Sequence, residues 1–221
     1  MISSLNFDDR LSSTPIDMLV IHYTGMKSAK AALDRLCDPQ AKVSAHYFID
    51  EDGDIISLVD ESKRAWHAGI ASWRGESDIN ARSIGVELVN PGHDFGYRNF
   101  PESQMTALID LLLEILSRHS IPARNVVGHS DIAPSRKTDP GERFDWAWLA
   151  AEGIGLWPHD ADIGNDTSDI TSMLSEYGYD ITIPASAITA FQRHFYPETL
   201  NKIIDSKTIG RLMRLIELSN A

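Results

Sequence analysis

The chain has 221 residues, a formal net charge of −12 and a pI near 5.0. An acidic balance of this size speaks against a nucleic-acid partner, whose phosphates call for a basic face. Hydrophobic residues make up 43% of the chain, enough for one substantial core and a small second unit, yet no apolar run reaches the roughly 18–20 residues that span a bilayer.

The single cysteine, Cys37, excludes an intramolecular disulfide and reads as a small apolar residue beside Leu33 and Leu36. Met1 to Arg10 contains Asp8 and Asp9 and lacks the basic-then-apolar order of a signal peptide. The expectation is a cytoplasmic monomer with no membrane partner.

Behind Pro15, the β-branched run from Ile16 to Thr24 predicts a buried strand that delivers His22 near its end. Ser28 can cap a helix to Cys37 that Pro39 stops. Ser44 to Asp50 and Asp54 to Val59 flank Glu51-Asp52-Gly53, a hairpin signal because Asp-Gly supplies positive φ. Trp66 to Asn80 reads as a surface loop, Ser83 to Val89 as a second apolar strand interrupted by Glu87, and Pro101 to His119 as a well-buried helix. Val126 and Val127 lead into Gly128-His129-Ser130-Asp131 and an irregular loop from Ile132 to Gly141, followed by a short aromatic helix, Phe144 to Ala151.

Strands alternating with helices predict an α/β fold with a mixed central sheet flanked by helices. Three short amphipathic stretches, Ser168 to Tyr177, Pro184 to Tyr196 and Ser206 to Ser219, suit a small three-helix domain. The expected organisation is a catalytic domain over 1–158, a linker over 159–166 and the helical domain over 167–221.

His22 stands at the end of an apolar strand, where a histidine by itself is more often a satisfied polar group than a ligand. His129, after a strand-ending glycine, and Asp139, in the loop beyond, complete two imidazoles and one carboxylate, the ligand set of a catalytic zinc with an open position. The spacing matches no short zinc motif. Glu87 is a carboxylate among apolar neighbours, either used in chemistry or held in a structural ion pair. Lys137 lies two residues from Asp139, so an extended loop would project both to one side. His46, Trp66 and His67 could wall a cleft suited to a sugar and its peptide, with either histidine alternatively bracing the metal site. Arg82 could pair with a peptide carboxylate or remain a solvated charge.

Six segments in order, Ile21-His22-Tyr23-Thr24, Ser44-Ala45-His46-Tyr47, Ala65-Trp66-His67-Ala68-Gly69, Ser83-Ile84-Gly85-Val86-Glu87, Gly128-His129-Ser130-Asp131 and Lys137-Thr138-Asp139-Pro140-Gly141, resemble the amidase_2 family of N-acetylmuramoyl-L-alanine amidases over roughly residues 15 to 158. This family is related to phage T7 lysozyme and the peptidoglycan recognition proteins. The resemblance implies a zinc ion on His22, His129 and Asp139, Glu87 as the catalytic carboxylate, and Lys137 beside the reacting carbonyl. With Asp139 where many relatives carry cysteine, the chain is similar to the AmpD/AmiD branch. The implied partners are peptidoglycan fragments, in recycling of soluble 1,6-anhydro-muropeptides; remodelling of intact murein by an exported enzyme and a non-catalytic receptor are the alternatives.

Ser172-Met173-Leu174, Tyr177-Gly178-Tyr179 and Ala190-Phe191-Gln192-Arg193-His194-Phe195 resemble the peptidoglycan-binding domain type 1. The helices would then either recognise the wall or stabilise the catalytic domain.

Overall fold

A computed structural model describes residues 2–11, 13–159 and 169–220. In chain order the elements are β1 (Phe7–Asp9), β2 (Met18–Tyr23), α1 (Ala29–Cys37), β3 (Tyr47–Ile49), β4 (Ile55–Ser57), β5 (Lys63–Ala65), α2 (Ile79–Arg82), β6 (Ser83–Leu88), α3 (Gly92–Phe95), α4 (Glu102–Arg118), β7 (Val126–Gly128), α5 (His129–Ile132), α6 (Trp146–Ala151), α7 (Ile170–Tyr177), α8 (Pro184–Phe195) and α9 (Ser206–Ser219). No helix among the described residues is long and apolar enough to cross a membrane.

The central sheet runs β4-β3-β6-β2-β7. β2 is paired in parallel on both sides, to β6 with His22 opposite Glu87 and to β7 with Ile21 opposite Gly128. β3 and β4 form the expected antiparallel hairpin at one edge, with Gly53 at φ 97° in its turn. Ser28 caps α1 as expected, its Oγ accepting from the Ala31 N–H. The N-terminal segment, for which no strand was expected, pairs as β1 with β5 in a separate two-stranded ribbon.

Alternation along the strands sorts the core into two layers. Leu19, Ile21, Ile84, Val86, Leu88 and Val126 face one way and pack on Met105, Leu108, Leu112 and Ile115 of α4. Met18, Val20 and Val127 face the other way and join Trp73, Ile79 and Ile132 in a cluster that includes Leu174, Tyr177, Phe191, Phe195, Leu212 and Leu215 of the C-terminal helices. The three expected C-terminal helices therefore share a core with the sheet. Of the expected linker, 160–166 lies outside the described residues.

Trp73 is the peg of this junction. The segment around it, expected to lie over the surface, instead buries its indole at 1% exposure, edge-on to Tyr177 (5.8 Å) and Tyr179 (5.2 Å), while the Arg74 N–H donates to the Gly178 carbonyl (2.9 Å).

A continuous core predicts one cooperative unfolding transition for the whole chain. Phe191→Ala should lower its stability by about 3–5 kcal/mol and shift that single transition in calorimetry. Two separate transitions, with one unmoved by the substitution, would show that the helices fold on a core of their own.

Candidate metal and catalytic centre

The site forms where the parallel strands end, the usual place for ligands in open α/β sheets. His22 and Glu87 are register partners near the ends of β2 and β6, so their side chains leave the same face side by side. That face is the one the C-terminal helices cover further back, at Met18 and Val20. β7 stops at Gly128, and the chain turns into α5 with His129 as its first residue. The Ser130 N–H donates to the Asp139 carbonyl (2.9 Å), which brings the following loop back and sets Asp139 beside His129.

Three ligand atoms meet in a near-equilateral triangle. His22 Nδ1, His129 Nδ1 and Asp139 Oδ2 lie 3.0 Å from one another, and all three residues are buried. Burial, and after it the neighbouring His129, pushes His22 down to about 4. Burial on its own raises Asp139, but His129 and His22 outweigh it and hold the carboxyl well below the usual carboxylate range.

The hydrogen bonds behind the triangle decide which ring nitrogens carry protons. The Ser83 hydroxyl donates to the Ile79 carbonyl (2.7 Å), so its oxygen accepts from His67 Nε2 (3.1 Å). Burial, then His22, holds His67 far below the usual imidazole range and therefore neutral. Its Nδ1 must then accept, and the donor is His22 Nε2 (3.0 Å). His22 is left with its Nδ1 lone pair facing the triangle. His129 donates Nε2–H to the Ala68 carbonyl (3.0 Å) and presents Nδ1 in the same way.

Two Nδ1 atoms and a carboxylate oxygen thus converge on one point, where a shared imidazole proton or a cation is needed to offset the crowding of acceptors. Ligands about 2.0–2.1 Å from a tetrahedral zinc are about 3.3–3.4 Å apart, so the donor set fits that ion with a small outward adjustment. Nitrogen and carboxylate ligands braced by outer hydrogen bonds are the usual construction of such centres.

Glu87 stands beside the triangle. Its Oε2 is buried with no hydrogen-bond partner among the described residues. Burial, then the charge of Asp139, raises its pKa well above the ordinary value, and Lys137 opposes the shift. Lys137 and Asp139 both border a cleft of about 380 Å³ that Trp66, Tyr23 and Arg35 also line.

The other residues expected at the cleft divide. Trp66 lines it, half-buried. His67 reaches it with one edge but is held as the brace of His22. His46 is fully buried and outside the cleft: its Nδ1 accepts from the Gly85 N–H (3.0 Å), and its Nε2 lies between the Lys63 carbonyl (3.1 Å) and Arg10 Nη2 (2.9 Å). Burial, then Arg10, pushes it down to about 3; a neutral ring locked between two strands is a structural member and has no face for a ligand. Arg82 also stays away from the cleft, because both ends of its guanidinium fork bind Asp17.

The comparisons with known proteins agree with this geometry. The model of the N-acetylmuramoyl-L-alanine amidase family Amidase_2 matches residues 12–142. The amidase AmiD of Escherichia coli is 38% identical over 91% of this chain and 83% of its own length. Its structure, a complex with anhydro-N-acetylmuramic acid-L-Ala-D-γ-Glu-L-Lys, superposes with a TM-score of 0.83 over 95% of this chain and 92% of AmiD. The 1,6-anhydro-N-acetylmuramyl-L-alanine amidase AmpD of Citrobacter freundii is 35% identical over 68% of this chain and 87% of its own length. AmpDh3 of Pseudomonas aeruginosa, in complex with anhydromuramic pentapeptide, is 34% identical with a TM-score of 0.84 over 94% of both chains.

The chain belongs to the Amidase_2 family. It is an amidase, and its fold is that of AmiD and AmpDh3.

Several supports of this amidase site escaped the sequence reading. Asn80 Oδ1 accepts from the N–H groups of His67 and Ala68 (3.1 and 2.8 Å), fixing both braces at once. Gly85 is required because the His67 ring lies directly over it: an added Cβ would stand 2.5 Å from the ring. A glycine in an apolar strand does signal close approach, but the sequence does not say what approaches. The hydrogen-bond chain predicts Nε2-protonated, neutral His67 at pH 7, readable as its ring tautomer in long-range ¹H–¹⁵N correlation spectra. Gly85→Ala should displace His67, perturb its resonances and cost about 1–3 kcal/mol in urea denaturation. An Nδ1-protonated His67 in the unsubstituted protein would break the assignment.

Proposed function

We propose that this amidase is zinc-dependent and cuts the amide between the muramic acid lactyl group and L-alanine in muropeptides. The observation that carries the reading is the triangle of His22 Nδ1, His129 Nδ1 and Asp139 Oδ2 next to the unpartnered Glu87 Oε2. His22, His129 and Asp139 would hold the ion, whose contribution is Lewis acidity toward the water and the amide carbonyl.

The protein's own groups supply the proton chemistry. Glu87 accepts a proton from the attacking water and passes it to the leaving amide nitrogen. A carboxyl whose pKa is raised by burial is matched to both transfers. Lys137 offers its ammonium to the carbonyl oxygen as negative charge develops there. Trp66 and Tyr23 give the cleft aromatic walls for the sugar and the first peptide residues. Arg35, Arg136 and Lys137 bring three cations to a cleft whose lining also holds Asp94, and these cations suit the carboxylates of a stem peptide.

The substrate class is supported by the complexes of AmiD and AmpDh3, each with an anhydromuramic peptide bound. That likeness supports recycling of soluble 1,6-anhydro-muropeptides as the role of this enzyme. Mass spectrometry of products should show zinc-dependent release of free stem peptide from anhydro-muropeptide, abolished by EDTA, and much less from intact murein sacculi. Equal release from sacculi would assign it to wall remodelling, and release from neither would leave a receptor.

Glu87→Ala should retain one zinc per chain by elemental analysis while kcat falls by about 10²–10⁴-fold. Asp139→Ala should lose metal and turnover together. Near-normal turnover in Glu87→Ala would remove the carboxylate from the mechanism.

A further inference from the structure

Asp131 lies two residues beyond His129, and its side chain is enclosed, at 1% exposure. Its Oδ2 accepts from the Gly128 N–H (2.7 Å) and from His194 Nδ1 (2.7 Å), and its Oδ1 accepts from the Tyr179 hydroxyl (2.8 Å). A carboxylate shut away from water is unfavourable unless directed donors compensate it, and here three buried donors do so. The His194 ring is held in plane by stacking on Trp146 (3.8 Å) and Phe195 (3.7 Å).

The two ends of this network belong to different parts of the molecule. Gly128 is the last residue of β7 and precedes the ligand His129, which Ser130 ties in turn to Asp139. Tyr179 and His194 come from the C-terminal helices and the turn between them. His22, in contrast, is braced through His67 and Ser83 without any C-terminal residue.

We propose that Asp131 is a positioning residue that, gripped by Tyr179 and His194, fixes His129 and Asp139 relative to His22, so that the C-terminal helices set the metal affinity of the catalytic centre. This rests on the metal reading given above. An appendage that merely stabilised the domain would need apolar contact with the sheet and no buried carboxylate at the root of a ligand.

The test compares zinc dissociation constants of full-length variants, by competition with a chromophoric chelator, with melting temperatures of the metal-free proteins. Tyr179→Phe removes one hydroxyl and keeps the ring; His194→Leu removes the second donor; His194→Gln keeps an N–H that can reach Asp131. Leu212→Ala is the control, because it opens a cavity in the shared core and removes no hydrogen-bond donor. Outer-shell partners of metal ligands are worth about 10–100-fold in affinity, and Asp131 acts one bond further out.

Tyr179→Phe and His194→Leu should therefore each weaken zinc binding by about three- to tenfold, with His194→Gln recovering most of the loss. Leu212→Ala should lower the melting temperature at least as much while its zinc constant stays within twofold. Unchanged zinc constants in Tyr179→Phe and His194→Leu, or an equal weakening in Leu212→Ala, would overturn the proposal while leaving the metal reading intact. Failure of the unsubstituted protein to bind one zinc would sink the metal reading itself, and the proposal with it.

Discussion

Parallel pairing of β2 with β6 and β7 is the constraint from which the centre follows. The register that seats Val20 opposite Gly85 also seats His22 opposite Glu87, and because side chains alternate, a shift of one residue would turn both away from the cleft and send core residues into it. The four apolar positions before His22 on β2, Met18 to Ile21, are held in place by packing on two sides. The imidazole is thus aimed by the burial of its neighbours before any hydrogen bond is counted.

That aim has a local cost, which the surrounding polar groups offset. The triangle gathers three acceptors, and Glu87 adds a carboxylate with an unpartnered oxygen. In an apolar core such groups would be replaced by better-packed ones with a gain in stability. Here each ligand is instead backed by a hydrogen bond that ends on the main chain: His22 through His67 and Ser83 to Ile79, His129 directly to Ala68, Asp139 through its own carbonyl to Ser130. Ending on backbone matters because main-chain positions are fixed by the fold, so ring orientation does not depend on flexible side chains at the surface. Asn80 and Gly85, unremarkable in the sequence, are needed for this reason.

Periodicity made most of the fold legible. The strands around His22 and Glu87, the Asp-Gly hairpin, the long helix α4 and the three C-terminal helices all carry their pattern locally. His22, Glu87, His129, Lys137 and Asp139 could be singled out as types, but their convergence depends on pairing between strands far apart in the chain. His46 and His67 show the limit clearly: each lies in an ordered segment, and each is buried. What separates them is a single close approach, His67 over Gly85, against a Gly85 N–H pointing at His46. Arg82 was ambiguous because its partner, Asp17, is 65 residues away. The strand β1 was illegible for another reason: it is short, acidic and exposed, and its pairing with β5 is supported by Asp8–Arg64 and Asp9–Lys63 contacts rather than by an apolar pattern.

The C-terminal helices show how a motif can mark a fold without marking a binding surface. The residues that carry their likeness to a wall-binding module, Leu174, Tyr177, Tyr179, Phe191 and Phe195, are buried against Trp73 and the sheet. His194 points inward to Asp131, and Gln192 holds the main chain at Ile203 and Lys202. Recognition by these helices would have to use their outer residues, where Ile183 and Ile203 are exposed, and not the motif itself. The AmpD match stops at about two-thirds of this chain whereas the AmiD match spans nine-tenths. Removing the helices here would expose Met18, Val20 and Val127 on the strands that carry the site, so the extension is as much a part of the catalytic unit as β2.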